Sequence, residues 1–235
     1  MGPITRKGLM QERKQAAGAR SQEVYPEFTK LLQGIKVGKT LLKLQKGHRI
    51  FSQGETADAI YFIQSGKVKI TAVSAEGKEA VFAVLGPSAF FGEACLVGQS
   101  SWHSSATAVE PSTIFRIEKR AMIRTLHDQP DFSRKFVAGL LVRILQLEED
   151  VRAQFFYDRD KKLARVLLRL AHLSQHGSAD VVLPRWTHET LAKMVGTSRS
   201  RITKVMNKFR KTGLIDYNSL LTVRTKRLSD TLLPD

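Results

Sequence analysis

Basic and hydroxyl-bearing side chains cluster within residues 187–209, where two short helices joined by a tight turn are predicted. The start of the second helix presents Arg199, Ser200, Arg201, Thr203 and Lys204. Arginine can donate two hydrogen bonds to O6 and N7 of guanine, and the hydroxyls of Ser200 and Thr203 can reach a phosphate or a base edge. Because a helix that reads the major groove needs such groups near its start, this spacing predicts a DNA-reading face with Arg199 and Arg201 on base edges. We expect phosphate contacts from Lys204, Lys208, Arg210 and Lys211.

Turn signals and apolar spacing support this helix pair. We expect Thr187 to cap the first helix and Ser198 to cap the second, with Glu189 in the first turn of the first helix and Gly196 in the turn between them. The predicted buried faces consist of Leu191, Ala192 and Val195, then Ile202, Val205, Met206 and Phe209. The alternative is an ordinary pair of solvated helices, but the spacing of Ala192, Gly196 and Ile202 favours DNA binding.

Net charge points to a polyanionic partner. The chain carries 38 Lys and Arg residues against 22 Asp and Glu residues, a formal net charge of +16, and its isoelectric point is about 10.2. From residue 159 onward there are 16 basic and 6 acidic residues, a net charge of +10, so most of the excess accompanies the helix pair. Because long apolar runs, a signal peptide and lipidation motifs are absent from the sequence, we expect a soluble cytoplasmic protein without membrane contact.

Glycine punctuates a series of short predicted strands between residues 40 and 117. The strands are 41–44, 49–51, 59–63, 68–73, 81–85 and 112–117, separated by glycines at 47, 54, 66, 77 and 86. This pattern predicts an antiparallel barrel or jelly roll, whose interior can hold one small ligand. Residues 1–22 are predicted to be a flexible basic tail, followed by a short helix over 23–32.

A long helix is predicted from about Phe132 to Tyr157. Its apolar residues recur at spacings of 3, 4, 3 and 4, as in the seam of a two-stranded coiled coil, and comprise Val137, Leu140, Ile144, Leu147 and Val151. The alternative is a helix packed on its own barrel. Dimerisation is favoured because helix-turn-helix proteins bind half-sites one DNA turn apart.

The C-terminal part adds a helix through Leu163, Val166, Leu167 and Leu170 and a hairpin that turns at Asn218-Ser219. The predicted fold class is therefore α+β, with an N-terminal antiparallel β-roll, a long dimerisation helix and a C-terminal winged helix-turn-helix domain. The predicted boundaries are 1–22 for the tail, 23–130 for the roll, 131–158 for the dimerisation helix and hinge, and 159–235 for the DNA-binding domain.

This order of parts resembles the CRP/FNR family of bacterial transcription regulators over about residues 24–228. The motifs that carry the resemblance are Lys46-Gly47, the segments 51–55 and 61–68, Phe91-Gly92-Glu93, Ala106-Thr107-Ala108, the long helix, and 191–199. The resemblance implies a cyclic-nucleotide-binding-like roll joined by a dimer helix to a winged helix-turn-helix. Relatives often carry Glu at the position of Ser200, so the half-site sequence differs from theirs or is read differently.

The effector site is where the sequence departs from the family pattern. In members that bind cyclic nucleotides, a Gly-Glu pair opens a phosphate cassette and an arginine just before the Ala-Thr step pairs with the phosphate. Gly92 and Glu93 match this pattern, but His103, Ser104 and Ser105 precede Ala106 and no arginine stands there. Since neutral groups replace a bidentate cation poorly, cAMP is not expected in the usual pose. The alternatives are a non-standard phosphate pocket formed by these five residues, and a structural Glu93 bonded to backbone amides.

The sequence lacks the residues that other cofactors and a catalytic site would need. The single cysteine, Cys95, excludes an internal disulfide and a cysteine-ligated zinc or iron–sulfur site within one chain. Haem would need axial ligands, for which His48 and His103 are weak candidates, and the two lack the spacing of a metal-dependent oxygenase. We therefore predict no enzyme and no metal, haem or iron–sulfur cluster.

The expected function is sequence-specific binding of double-stranded DNA by a homodimer at a pseudo-palindromic site, with RNA polymerase as a further partner to test. The alternative is a cyclic-nucleotide-responsive regulator.

Overall fold

The computed structural model describes Leu32, Gly34, Ile35 and residues 37–174, 180–184, 186–217 and 220–233. Among these, the residues up to Val68 form one compact unit with Gly86–Glu148, and Lys69–Leu85 form a second with the residues from Glu149 onward. The predicted tail, most of the predicted helix over 23–32, and the Asn218-Ser219 turn lie outside the described residues. The domain boundaries drawn from the sequence stay a prediction.

Eight short strands lie between residues 39 and 118, and all six strands predicted from glycine punctuation are confirmed. They are β1 (Lys39–Leu44), β2 (Arg49–Phe51), β3 (Ala59–Ser65), β4 (Val68–Val73), β5 (Glu79–Leu85), β6 (Phe90–Phe91), β7 (Ser105–Ala108) and β8 (Ser112–Glu118). In the first unit, a sheet has the order β1-β8-β3-β6, and β2 pairs with β7. These pairs are antiparallel, as predicted, with Ile60 opposite Ile117 and Phe62 opposite Phe115 at the centre of the sheet.

The core of the first unit is centred on β3. Five consecutive β3 residues from Ala59 to Ile63 are buried, because both faces of this strand are covered. A 3₁₀ helix (Glu93–Val97) and helix α1 (Lys119–Asp128) follow β6 and β8 respectively. Neither was predicted from the sequence.

The long helix, α2 (Pro130–Phe156), begins and ends within two residues of its predicted limits. Its first turns pack on the roll through Phe132 and Phe136, both buried, which stack at 6.3 Å. Beyond Phe136 the predicted seam faces outward: Val137, Ile144, Leu147 and Val151 are each about half exposed, and Leu140 is partly buried. The alternative, a helix whose whole seam packs on its own roll, therefore does not agree with the structure.

The second unit contains α3 (Arg159–His172), β9 (Asp180–Leu183), α4 (His188–Val195), α5 (Arg199–Lys211), β10 (Ile215–Tyr217), β11 (Leu221–Arg224) and α6 (Thr225–Leu232). The predicted hairpin is confirmed, with Ile215 opposite Val223 and Tyr217 opposite Leu221. Strand β9, which was not predicted, pairs with β11 and gives the sheet order β10-β11-β9. The fold is thus a β-roll, a long helix and a winged helix-turn-helix.

Two further contacts complete the second unit. Strand β5 contributes Val81 and Val84 to the apolar core that α3, α4 and α5 share. The last turns of α2 are tied to α3 through Asp150, which accepts hydrogen bonds from Arg165 at 3.1 Å and from Arg169 at 2.6 Å. Because Asp158 caps α3 by accepting from the backbone N–H of Lys161, the chain changes helix between Phe156 and Arg159, at the predicted hinge.

Candidate nucleic-acid interface and ligand pocket

The helix–turn–helix is formed by α4 and α5. Thr187 caps α4 as predicted, its hydroxyl accepting from the N–H of Thr190 at 3.1 Å. Gly196 ends α4 with φ 73°, in the left-handed region where a side chain would be strained, and its N–H donates to the carbonyl of Ala192 at 2.9 Å. The predicted turn is therefore confirmed.

Helix α5 is held by one apolar face and is weakly capped. Ile202, Met206 and Phe209 are buried as predicted, whereas Val205 is only half-buried. The expectation that the Ser198 side chain caps α5 is wrong: Ser198 stands at the N-cap position, but its hydroxyl contacts that of Ser200 at 3.2 Å and accepts from no backbone N–H. The first turn of α5 therefore lacks the usual capping bond.

The opposite face of α5 is exposed and basic. Arg199, Ser200, Arg201 and Lys204 are all exposed, and within the described ranges no ion pair involves Arg199, Arg201 or Lys204. Free guanidinium groups at the start of an exposed helix can donate in pairs to a guanine edge. This arrangement has the chemistry that major-groove reading requires.

Two of the predicted contact residues are already engaged within the protein. The Thr203 hydroxyl donates to the carbonyl of Arg199 at 3.0 Å and contacts Nδ1 of His188 at 2.9 Å. The ammonium group of Lys208 lies 2.6 Å from Asp160, and this hydrogen bond raises the pKa of Lys208. Arg210 and Lys211 are exposed near the end of α5. Phosphate contacts by these lysines and arginines stay a prediction.

A further ion pair, not foreseen from the sequence, joins β5 to α4. Lys193 donates to Glu79 at 2.7 Å and lies 3.4 Å from Glu189. The hydrogen bond raises the pKa of Lys193 and lowers that of Glu79. Because 114 residues separate the two partners, local periodicity gives no signal for this contact.

At the predicted ligand pocket, aromatic rings fill the space beside Gly92. Trp102 is 4 % exposed and stacks on Phe51 with ring centroids 4.3 Å apart. Gly92 has φ 82°, and a Cβ there would lie 3.1 Å from the Trp102 ring and 3.2 Å from the Ala59 carbonyl. Glycine is therefore required at this position by close packing of the roll itself.

Glu93 is paired with a cation from the long helix. Nη1 of Arg143 donates to Glu93 at 2.7 Å and to the carbonyl of Phe90 at 3.1 Å. The expectation that backbone amides hold Glu93 is therefore wrong. The sequence signal was absent because Arg143 lies 50 residues away, on a helix for which a dimer seam was the favoured interpretation.

The three polar residues of the loop that lacks an arginine differ in their exposure to solvent. His103 is exposed and Ser104 is half-buried, whereas Ser105 is buried and its hydroxyl accepts from the N–H of Gln53 at 2.9 Å. The Ser105 oxygen is thus already used as an acceptor, while its hydrogen can still be donated. The loop and Gly92-Glu93 belong to the same unit, and in this unit Glu93 and Ser105 each have a protein partner.

Metal-ligand clusters and membrane-spanning helices are both absent from the described residues. Groups of three or more His, Cys, Asp or Glu side chains that could hold a metal ion were not found in this part of the chain. None of the described helices is long and apolar enough to cross a membrane.

Comparisons with known proteins match both halves of this architecture. The family described as the cyclic nucleotide-binding domain matches residues 41–129, and the Crp-like helix-turn-helix domain matches residues 161–230. The chain is 31% identical over 188 residues to the "CRP-like cAMP-activated global transcriptional regulator" of Mycobacterium tuberculosis, covering 78% of this chain and 84% of that protein. It is 30% identical to the "Cyclic AMP receptor protein" of Thermus thermophilus, covering 72% and 76%.

A solved structure shows the same fold. The c-di-GMP-responsive global regulator CLP of Xanthomonas campestris superposes with a TM-score of 0.71, covers 83% of this chain and 98% of that one, and is 20% identical in sequence. At this identity the likeness concerns the fold alone.

Proposed function

This chain belongs to the CRP/FNR family of transcription regulators, and on that premise we propose that it binds double-stranded DNA sequence-specifically as a homodimer. The observation that carries this proposal is the exposed start of α5. Arg199 and Arg201 project from the second helix of a helix-turn-helix and make no ion pair within the described chain. In this proposal the protein is a regulator and not an enzyme. It acts in the cytoplasm, where its DNA target lies, and RNA polymerase is a further partner.

The exposed seam of α2 supports the dimer. Apolar side chains that are half exposed in one chain would be covered by the same stripe of a second copy. Further exposed apolar residues extend this stripe toward the end of the helix, where Phe155 and Phe156 are 78% and 79% exposed. Two such chains would set their recognition helices about 34 Å apart, matching two half-sites of a pseudo-palindrome.

We further propose that cAMP does not bind in the pose usual for the family. Two observations support this: the 102–105 loop has no arginine, and Trp102 packs against Gly92. A cyclic phosphate buried there would lack its bidentate cation.

A second candidate, a regulator that responds to a cyclic nucleotide through a non-standard pocket, is supported by Arg143. This arginine brings a cation to Glu93, and the relative from M. tuberculosis is named as cAMP-activated. In this alternative, Arg143 would exchange part of its contact with Glu93 for the phosphate.

Selection from a randomised DNA pool tests the proposed function. We expect the full-length protein to enrich an inverted repeat with half-sites one helical turn apart, and footprinting to protect two successive major grooves on one face. Enrichment of a single unrepeated motif would contradict the dimer. Sequence-specific reading would be contradicted if no sequence were enriched and if added salt weakened binding to every sequence to the same extent.

A further inference from the structure

His188 lies where three elements of the DNA-binding unit meet. It opens α4, and both of its ring nitrogens contact hydroxyl groups of other elements. Nδ1 lies 2.9 Å from the Thr203 hydroxyl on α5, and Nε2 lies 3.3 Å from the Tyr217 hydroxyl at the end of β10. One half-buried imidazole therefore joins the first helix of the pair, the recognition helix and the hairpin.

The directions of these hydrogen bonds follow from the number of available protons. The Thr203 hydroxyl has one hydrogen, which it donates to the Arg199 carbonyl at 3.0 Å, and a carbonyl can only accept. Nδ1–H of His188 must then donate to the Thr203 oxygen. In the neutral ring Nε2 is left as an acceptor, so the Tyr217 hydroxyl donates to it.

The surroundings of His188 favour this neutral form. Burial, followed by the positive charge of Arg199, lowers the pKa of His188. A second proton, on Nε2, would remove the acceptor that the Tyr217 hydroxyl uses. The charged and titratable groups that meet the ring are thus Arg199 from α5 and Tyr217 from β10.

The first turn of α5 depends on outside support. Ser198 makes no capping bond, so the turn that carries Arg199 lacks the usual restraint at its N-terminus. The chain of contacts from the Arg199 carbonyl through Thr203 to His188 supplies a lateral restraint on this same turn. Through Tyr217 the restraint continues into the hairpin.

We propose that His188 is a positioning residue for DNA recognition, coupling the start of the recognition helix to the β10–β11 hairpin so that the two engage DNA as one unit. The inference rests on the proposed DNA-binding function and adds a residue outside the exposed face. Arg199 contacts the base edge, and His188 acts by fixing the turn from which Arg199 projects. Loss of His188 should therefore lower discrimination between DNA sites as well as affinity.

Double-mutant cycles in DNA binding test this coupling. The single variants are His188→Ala, Thr203→Val and Tyr217→Phe, and affinity is measured at fixed salt for the selected site and for sites with one base pair changed. Thr203→Val and Tyr217→Phe should each lower affinity for the selected site about 3- to 10-fold, the range expected for one lost hydrogen bond. His188→Ala, which removes both contacts, should lower it at least as much. Each double variant containing His188→Ala should lose no more than His188→Ala alone.

Thr212→Val is the matched control. Thr212 directly follows the last residue of α5, and its hydroxyl donates to the carbonyl four residues earlier, that of Lys208, at 3.1 Å, as Thr203 does with Arg199. Since no imidazole of the described residues contacts Thr212, this variant should change affinity less than about 2-fold. The replacements His188→Asn and His188→Gln separate the two contacts, because Asn places its amide near the Nδ1 position and Gln near the Nε2 position.

The results separate this inference from the proposed function. If the wild-type protein selects DNA but the effects of His188→Ala and Thr203→Val multiply, Thr203 contacts DNA independently and the inference is overturned. If the wild-type protein selects no sequence, the proposed function fails and this role fails with it. Nitrogen-15 spectra of the imidazole give a readout without DNA: the link from His188 through Thr203 to the Arg199 carbonyl requires Nδ1 to be protonated and Nε2 unprotonated, and the opposite tautomer would break this link and overturn the inference.

Discussion

The recognition helix and the ligand end of the roll both carry family motifs, but their polar groups are used differently. At the start of α5, Arg199 and Arg201 extend into solvent without an ion pair inside the described chain. At the ligand end, Glu93 is held by Arg143 and Ser105 by the backbone of Gln53. One region presents arginines without an ion pair in the described chain, whereas the other has already paired its carboxylate.

This difference shows that a sequence motif and an available site are separate properties. Gly92-Glu93 matches the family pattern, yet the reason for Gly92 in this chain is the close approach of Trp102 and of the Ala59 carbonyl. A buried donor or acceptor that is already paired offers a ligand little, because a new bond must replace an existing one. The exposed arginines of α5 have no such bond to replace.

The largest expected effect concerns the aromatic cluster at the ligand end. Trp102→Ala removes a buried indole stacked on Phe51 and should lower the free energy of unfolding by about 3–5 kcal/mol, as other large-to-small core changes do. Urea unfolding followed by circular dichroism measures this. Trp186, the other tryptophan, is half-buried in the second unit, so Trp186→Ala should cost clearly less. A small loss for Trp102→Ala would mean that the ring lines an open pocket.

A second effect concerns dimerisation through α2, which DNA reading by paired recognition helices requires. Replacing Ile144 and Val151 with lysine would bury like charges in the proposed seam and should give monomers that bind the selected site at least about 100-fold more weakly. Analytical ultracentrifugation and DNA titration measure both outcomes. The control is Leu145→Lys, because Leu145 is more exposed than either position and lies outside the predicted seam. Dimers that survive the double replacement would locate the interface elsewhere.

A smaller effect should distinguish base recognition from sequence-independent attraction to DNA along α5. Arg199→Ala is expected to cost about 1–3 kcal/mol on the selected site and to relax discrimination at one base pair. Arg210→Ala removes the same side chain near the other end of the helix and should weaken all sequences to a similar extent. Equal loss of discrimination in both variants would mean that the base contact is assigned to the wrong end.

The smallest effect is a pH dependence within the DNA-binding unit. The pKa of His188 is lowered from 6.5 by burial and then by Arg199, so the unfolded chain binds more protons at mildly acidic pH. Stability should therefore fall as pH drops through 6.5 and level off below the folded-state pKa. His188→Gln removes this slope from urea unfolding curves collected between pH 5 and 8. A slope that is the same in both proteins would assign it to other groups.

Local patterns predicted most of the elements but few of the contacts between them. Glycine punctuation gave six strands, and apolar periodicity gave α2, α4 and α5, because both signals lie within about ten residues. Strand β9 was missed because its four residues carry little periodicity. At the candidate sites, the exposed face of α5 could be predicted from its own sequence. The pairs Arg143–Glu93 and Lys193–Glu79 could not, since only the fold brings together residues 50 and 114 positions apart.

The effect of cyclic nucleotide on DNA affinity tests the contrast between the two regions most directly. The selected site is titrated with wild-type protein and with Glu93→Ala, in parallel without nucleotide and with cAMP or cGMP up to about 1 mM, the weak-binding range that corresponds to roughly −4 kcal/mol. We predict tight, sequence-selective binding without nucleotide and an unchanged affinity in its presence for both proteins. An increase of tenfold or more at micromolar nucleotide, lost in Glu93→Ala, would contradict this account and assign Glu93 and Arg143 to a working ligand site.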